Sequence, residues 1–455
     1  MVDFLYDNLP IIMFLTLCVV IFSGYPLGFV LGATALAFGL IGSAIGAFSI
    51  IQFFNFMPRV YDVVENPVLV SVPLFIFMGL LLEGSGLAEE LLHSLQVILK
   101  RVPGGLALSV NIVGTVLGAP IGVVGASVVM LSLVALPTMM ERGYSKSFAT
   151  GTIAASGTLG ILIPPSVMLV VMADLMGISI GPLFYGAFLP GFLLSGLYFA
   201  YIILVAKFRP EFAPPLGEEY SQLSTKEFWK LMWTGFMPSF VLLFATLGAI
   251  FAGWATPTES AGCGAFATLV LAWAKGRLNR DNLSKVVYTT AVTVGLVFVL
   301  YAGANSFSYV FRSVGGDDMV INFIKGAGLN SWQVIIMLMV VIFLLGLPFE
   351  WTEIMLILLP IIGPIFPILD FGAHIAKEDI VTWFCILMAV NLQTSFLSPP
   401  FGFALFYVKG TAPDSISMED IFRGCIPFMT LQLIGLIACI AFPEIILWLP
   451  RVWIS

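Results

Sequence analysis

Ser156–Ser166 reads SGTLGILIPPS and falls near the middle of an apolar run long enough to cross a membrane. A proline has no backbone N–H, and its ring clashes with the preceding turn, so Pro164 and Pro165 interrupt a helix there. The residue before a proline is also pushed out of the helical region. Gly157 and Gly160 loosen the backbone upstream, and Ser156 and Thr158 add hydroxyls. The reading is two half-helices joined by an unwound segment at membrane depth. Thr394–Gly402, TSFLSPPFG, repeats the pattern far downstream, with Ser398, Pro399 and Pro400 at the break. Unwound backbone cannot face lipid, where its carbonyls and N–H groups would go unpaired, and it survives only around a protected cavity. Two interrupted spans at matching positions in two halves point to the binding site of a secondary transporter.

The composition sets the class. The chain has 455 residues, 60% hydrophobic and only 10% charged, with a mean hydropathy of +1.06. A soluble protein of this size could not bury that much apolar surface, so the fold class is an all-α polytopic membrane protein. The net charge of -7 says little about partners, and no basic run suggests nucleic acid. The five cysteines are scattered, and His93 and His374 lie far apart, so neither a disulfide nor a histidine metal centre is expected. The first apolar run follows Asp3 and Asp7 rather than a basic segment and lacks a small-residue cleavage site, so it reads as a span and not a signal peptide.

Spans are placed by apolar runs of about 20 residues. They fall at about 9–23, 27–48, 68–83, 147–176, 181–206, 232–252, 258–274, 286–305, 380–408 and 424–447. Residues 84–101 form an amphipathic helix with Leu87, Leu91, Leu92, Leu95 and Ile98 on one face. It suits either the membrane plane or a short cytoplasmic bundle. Residues 104–137 are apolar but Gly-rich and broken at LGAPIGVVGAS (Leu117–Ser127), which reads as a re-entrant helical hairpin or as one kinked span. Residues 332–366 repeat that pattern around LGLPFEWTEI (Leu345–Ile354). In TPTES (Thr256–Ser260), a threonine three residues before Glu259 marks a helix start.

The proline-containing polar stretch at 207–231 divides a first half, 1–206, from a second, 232–455. Each half carries one hairpin (104–137 or 332–366) and one broken span (147–176 or 380–408). With an outside N-terminus, 14 lysines and arginines lie inside and five, Arg59, Arg312, Lys325, Lys377 and Arg451, lie outside, accounting for all 19. The bias follows the positive-inside rule. The first hairpin then enters from the cytoplasm and the second from the opposite face, which makes the halves inverted repeats.

Each broken span should face the hairpin tip of its own half. Half-helix C-termini and unwound carbonyls can hold a cation, and half-helix N-termini can hold an anion. The Pro-Pro pairs fit the first turn of each second half-helix. One cation is placed near Gly118, Gly122, Ser127, Ser156, Gly157, Thr158 and Gly160, and another near Gly346, Glu350, Thr352, Thr394, Ser395 and Ser398. These are hard oxygen ligands of the kind Na⁺ takes. Any single Gly or Ser here is equally suited to helix packing. Glu350 and Glu353 flank Trp351 at the second tip, either as functional carboxylates or as solvated ones. Asp174 reads as interfacial. The substrate anion falls to the break itself, Pro164, Ser166 and Pro399, and to Asn391.

These residues resemble the large membrane subunit of tripartite ATP-independent periplasmic (TRAP) transporters over almost the whole chain. The likeness rests on GYPLGFVLG (Gly24–Gly32), VPLFIFMGLLLEGSGLAEELL (Val72–Leu92), RGYSKSFATGTIAASGTLGILIPPS (Arg142–Ser166), ATPTESAG (Ala255–Gly262) and NLQTSFLSPPFGFALF (Asn391–Phe406). The last form is most like the branch associated with 2-oxo acids, mannitol and chloroaromatic compounds. The resemblance implies an elevator-type importer in a bacterial inner membrane, not an enzyme. It implies a sodium gradient as driving force, and as partners a small membrane subunit and a periplasmic protein that delivers an organic acid anion. It also implies that the hairpin tips and the SGTLG and TSFLS segments form two sodium sites. The chain departs from the family at the first tip, where Val123 and Val124 stand in positions usually held by serines.

A stand-alone sodium- or proton-coupled carrier of the divalent-anion type is the alternative within transport. An intramembrane enzyme would need clustered Asp, His or Cys at depth, which the sequence lacks. In the importer reading the two hairpin and broken-span units move together and the remaining spans form a fixed scaffold.

Overall fold

A computed structural model describes residues 2–121, 124–214 and 232–454, with Lys226, Trp229 and Lys230 between the last two stretches. The expected linker at 207–231 and the tip residues Gly122 and Val123 therefore lie partly or wholly outside the described residues. Every regular element among them is helical.

The same order of elements occurs twice. The first run is Leu27–Ala44, Ser71–Gly84, Leu87–Ile98, the paired arms Gly105–Ile121 and Val124–Glu141, the interrupted pair Lys146–Thr158 and Val167–Met176, and Ile180–Phe208. The second is Pro257–Ala274, Arg280–Ser313, Gly316–Gly326, the arms Ser331–Leu345 and Trp351–Ile362, the interrupted pair Ile380–Phe396 and Phe403–Thr411, and Met418–Ala441. Val2–Val20 and Met237–Phe251 precede the two runs. Among the described residues nine helices are long and apolar enough to cross a membrane, or up to eleven if each of two bent pairs is one span.

Helix starts follow local sequence. The side chains of Thr256, Asn330 and Ser417 accept from the backbone N–H three residues on, at Glu259, Gln333 and Asp420, satisfying donors that a helix N-terminus leaves open. Glu259 is thus a cap residue, as the TPTES turn predicts.

Two bodies emerge from the packing. Leu27–Ala44 crosses Arg280–Ser313 at Gly28 and Gly303, where a Cβ added to Gly303 would stand 2.2 Å from the Gly28 carbonyl oxygen. Ser71–Gly84 packs on Pro257–Ala274 in the same frame. The hairpins and interrupted helices form the other body. Met418–Ala441 joins it at Gly151 and Gly424, so close that a Cβ at Gly151 would lie 2.1 Å from the Gly424 oxygen. Such backbone approaches are how small residues hold helices together in lipid. Ile180–Phe208 also packs on the interrupted helices. Two spans expected in the scaffold therefore sit on the hairpin body.

Other differences have local causes. The amphipathic helix Leu87–Ile98 buries Leu87, Leu91, Leu92 and Leu95 against Gly105–Ile121 and Met232–Phe236 rather than in lipid, and Glu90 pairs with Lys275. It belongs to the frame as much as to the hairpin. The last expected span ends early, at Ala441, and a separate helix, Glu444–Ile454, follows. Pro443 pushes Phe442 out of helical geometry. The Pro-Pro pairs lie upstream of the second half-helices rather than in their first turns, because these begin only at Val167 and Phe403. Pro164 and Pro399 each precede a proline and are thereby kept out of the helix.

Candidate ion and substrate site

In the first half the hairpin's leading arm lies on the broken helix with almost no space between backbones. A Cβ at Gly160 would stand 2.1 Å from the Gly118 carbonyl carbon, and one at Gly114 would stand 2.4 Å from the Ser156 carbonyl oxygen. Gly157 meets Val128 of the trailing arm, with 2.5 Å to Cγ2 for an added Cβ. Ser127 is buried, its Oγ 3.9 Å from where a Cβ on Gly118 would be. Gly118, Ser127, Ser156, Gly157 and Gly160 are therefore brought together. Thr158 is buried beside them, but its hydroxyl donates back to the Ala155 carbonyl at 2.9 Å. The Ser156 hydroxyl is buried and has no hydrogen-bond partner. Gly122 lies outside the described residues, and with it the comparison at Val123.

The break runs from the short turn Leu159–Ile161 to Ser166. Pro164 and Ser166 are buried, and the Ser166 hydroxyl donates to the Ile161 carbonyl. This closes one acceptor that the missing helical turn leaves open.

In the second half Gly346 ends the leading arm directly over Ser395. A Cβ there would lie 2.0 Å from Ser395 Oγ and 2.6 Å from its Cβ. Ser395 is fully buried and donates to the Leu392 carbonyl at 2.7 Å, and Thr394 makes a longer bond to Val390 at 3.4 Å. Ser398 is buried, and its carbonyl accepts from Gly402 N–H at 2.9 Å inside the break. Glu350 and Thr352 open the trailing arm, where the Glu353 carboxylate accepts the Glu350 N–H at 3.3 Å. Pro399 is half-buried. Asn391 lies within Ile380–Phe396, before the break, and its side-chain N–H donates to the Met339 carbonyl at 2.6 Å, so it ties the leading arm to the interrupted helix.

The two halves also interlock. The trailing arm of the first hairpin packs on Phe403–Thr411 of the second break, where Gly125 faces the Tyr407 ring and the Thr411 hydroxyl donates to Ser132 at 2.7 Å. The trailing arm of the second hairpin packs on Val167–Met176 of the first break. Each leading arm thus meets its own half and each trailing arm also reaches the other. The sequence reading missed this exchange, and it missed Gly114, although Gly114 and Gly118 stand one turn apart on a single helix face. It also missed Gln393, buried next to Thr394 with neither amide atom partnered.

Known proteins fit this architecture. The profile of the family described as "Tripartite ATP-independent periplasmic transporter, DctM component" matches residues 14–445. The chain belongs to that family. It is 27% identical over 401 residues to the C4-dicarboxylate TRAP transporter large permease protein DctM of Pseudomonas aeruginosa, covering 87% of this chain and 89% of that one. It is 26% identical to the sialic acid TRAP transporter large permease protein SiaM of Vibrio cholerae, covering 96% and 97%. Among solved structures, the crystal structure of the Alcanivorax borkumensis YdaH transporter aligns with a TM-score of 0.60 at 14% identity, covering 89% of each chain. That likeness speaks for the fold alone. Family membership makes the chain a transport protein and not an enzyme, a large permease component and a multi-pass protein of a bacterial inner membrane.

Proposed function

We propose that this chain is the permease subunit of a sodium-driven importer of a small organic acid anion. It works with a small membrane subunit and a periplasmic binding protein, by an elevator movement. The observation that carries this reading is the meeting of each hairpin with the interrupted helix of its own half at the break: Gly118 on Gly160 in one half, and in the other Gly346 on Ser395, in the last helical turn before the break. Carbonyls freed by the break, with the hydroxyls of Ser156, Ser127, Ser395 and Ser398, supply hard oxygen donors for a transported Na⁺. The half-helix N-termini at Val167 and Phe403 supply N–H groups for an anion. Relatives named for C4-dicarboxylates and sialic acid handle organic anions, which supports that substrate class.

The moving body in this proposal comprises both hairpins, both interrupted helices, Ile180–Phe208 and Met418–Ala441. The test is uptake into liposomes holding this chain and its small partner, with and without the binding protein, under an inward sodium or an equal potassium gradient. The panel starts with 2-oxo acids, C4-dicarboxylates and sialic acid. Uptake that needs both sodium and the binding protein is expected. Uptake without the binding protein would overturn the tripartite reading in favour of a stand-alone carrier. Uptake under potassium would move the coupling to protons at Glu350 or Glu353.

A further inference from the structure

A cavity of about 420 Å³ opens between the two bodies, away from the hairpin tips. Arg59, Asn305, Ser308, Tyr309 and Arg312 line its frame side, and Asp174 lines its other wall. Asp174 lies eight residues past Ser166, roughly 12 Å along the half-helix, so this cavity is separate from the breaks. Three of the five basic residues assigned outside by charge asymmetry, Arg59, Arg312 and Lys377, line this cavity or the one adjoining it.

The polar groups here are arranged for an anion. The Arg59 guanidinium lies 4.3 Å from the centre of the Tyr309 ring, a stacking that fixes the group while leaving its N–H edge available. Tyr309 is itself held by a hydrogen bond from the Asn55 side chain at 2.8 Å. Arg312 donates one N–H to the Pro360 carbonyl at 3.1 Å and has a loose pair with half-exposed Asp317 at 3.7 Å, so part of its fork is unused. Both Asp174 oxygens accept hydrogen bonds, from Asn66 and from Tyr301. The Ser308 hydroxyl, on a residue 9% exposed, has no partner. Buried polar groups are almost always satisfied, so an unpartnered hydroxyl on a residue that lines the same cavity as two arginines marks a place for an acceptor.

We propose that this cavity is a binding site for the carboxylate of a small organic anion, held between Arg59 and Arg312 with Ser308 donating. It is a staging site outside the hairpin tips. Its volume lies in the range of small-molecule pockets, and paired guanidiniums match carboxylate geometry. The proposal rests on the reading of the chain as an organic-anion importer.

The test puts a thiol in the cavity, Ser308→Cys, in a chain carrying Cys18→Ser and Cys263→Ala. The modification rates with anionic and cationic methanethiosulfonate reagents, each corrected for its rate on a free thiol, report the local potential. The anionic reagent should be favoured by about tenfold, as expected for two nearby cations in a partly enclosed site. Arg59→Gln with Arg312→Gln should remove the preference, and Arg59→Lys with Arg312→Lys should keep it. Millimolar succinate should slow labelling, and chloride should not. A preference for the cationic reagent, no labelling, equal protection by chloride, or succinate protection that survives loss of both arginines would each overturn the site. Labelling needs neither sodium nor the partner proteins, so this site can fail while uptake stands, and uptake can fail while the site stands.

Discussion

The two hairpin contacts differ in what touches what. In the first half, backbone meets backbone: Gly160 lies on the carbonyl group of Gly118, and Gly114 on that of Ser156. In the second half, backbone meets side chain: Gly346 lies on Ser395 Oγ. The second tip also carries two glutamates where the sequence of the first carries none. A backbone contact leaves nothing to exchange, whereas a side-chain contact can be rebuilt by changing the partner. The first junction is therefore the stricter of the two, and the second is the one through which relatives could vary.

That contrast can be broken most directly at Gly160. Gly160→Ala puts a methyl 2.1 Å from a backbone carbon, beyond what neighbours can absorb at the usual overpacking cost of about 1–3 kcal/mol. Uptake should be lost, and no substitution at Gly118 should restore it. Gly346→Ala should also impair uptake and lower the melting temperature in detergent. Here, though, a second change, Ser395→Gly, should restore most of the stability, less about 1 kcal/mol for the lost Leu392 hydrogen bond, while uptake stays impaired because a proposed sodium ligand is gone. Failure of that rescue, or rescue of Gly160→Ala from Gly118, would erase the distinction.

A smaller effect tests the exchange between halves. Thr411→Val leaves the Ser132 hydroxyl without its bond and should destabilise the chain by about 1 kcal/mol, read as a modest fall in melting temperature. The smallest effect is expected from Ser156→Ala. Its hydroxyl has no partner, so the melting temperature in sodium-free buffer should stay put. The sodium concentration for half-maximal uptake should nonetheless rise several-fold if this oxygen is an ion ligand. An unchanged sodium dependence would take Ser156 out of the site.

The breaks and the order of helices were legible because they follow from local rules. Adjacent prolines stop a helix wherever they occur, and runs of about 20 apolar residues register as spans. The contacts of Gly118 with Gly160 and of Gly346 with Ser395 were legible for a related reason, since hairpin and break are neighbours in the chain. What could not be read depends on contacts across long sequence separations. The hydrogen bond of Thr411 to Ser132 spans 279 residues, and the bond of Tyr301 to Asp174 spans 127. Nothing local in either stretch announces its partner. The burial of Leu87–Ile98 was ambiguous for another reason: its apolar stripe would serve equally against lipid or protein. The packing of Gly105–Ile121 and Met232–Phe236 against it decides.

The helix Arg280–Ser313 has 34 residues, which at 1.5 Å each is about 50 Å, against a hydrocarbon layer of about 30 Å. It must lean or project beyond the acyl chains, with Arg280 and Lys285 near one end and Arg312 near the other. Gly303 locks it to Leu27–Ala44, so the pair tilts as a unit. Bilayer thickness then becomes a mechanical variable of this protein. Shorter lipids would increase the lean and longer ones would straighten it, at fractions of a kcal/mol for each ångström of mismatch. The frame of the transporter is in this sense a gauge of the membrane that holds it.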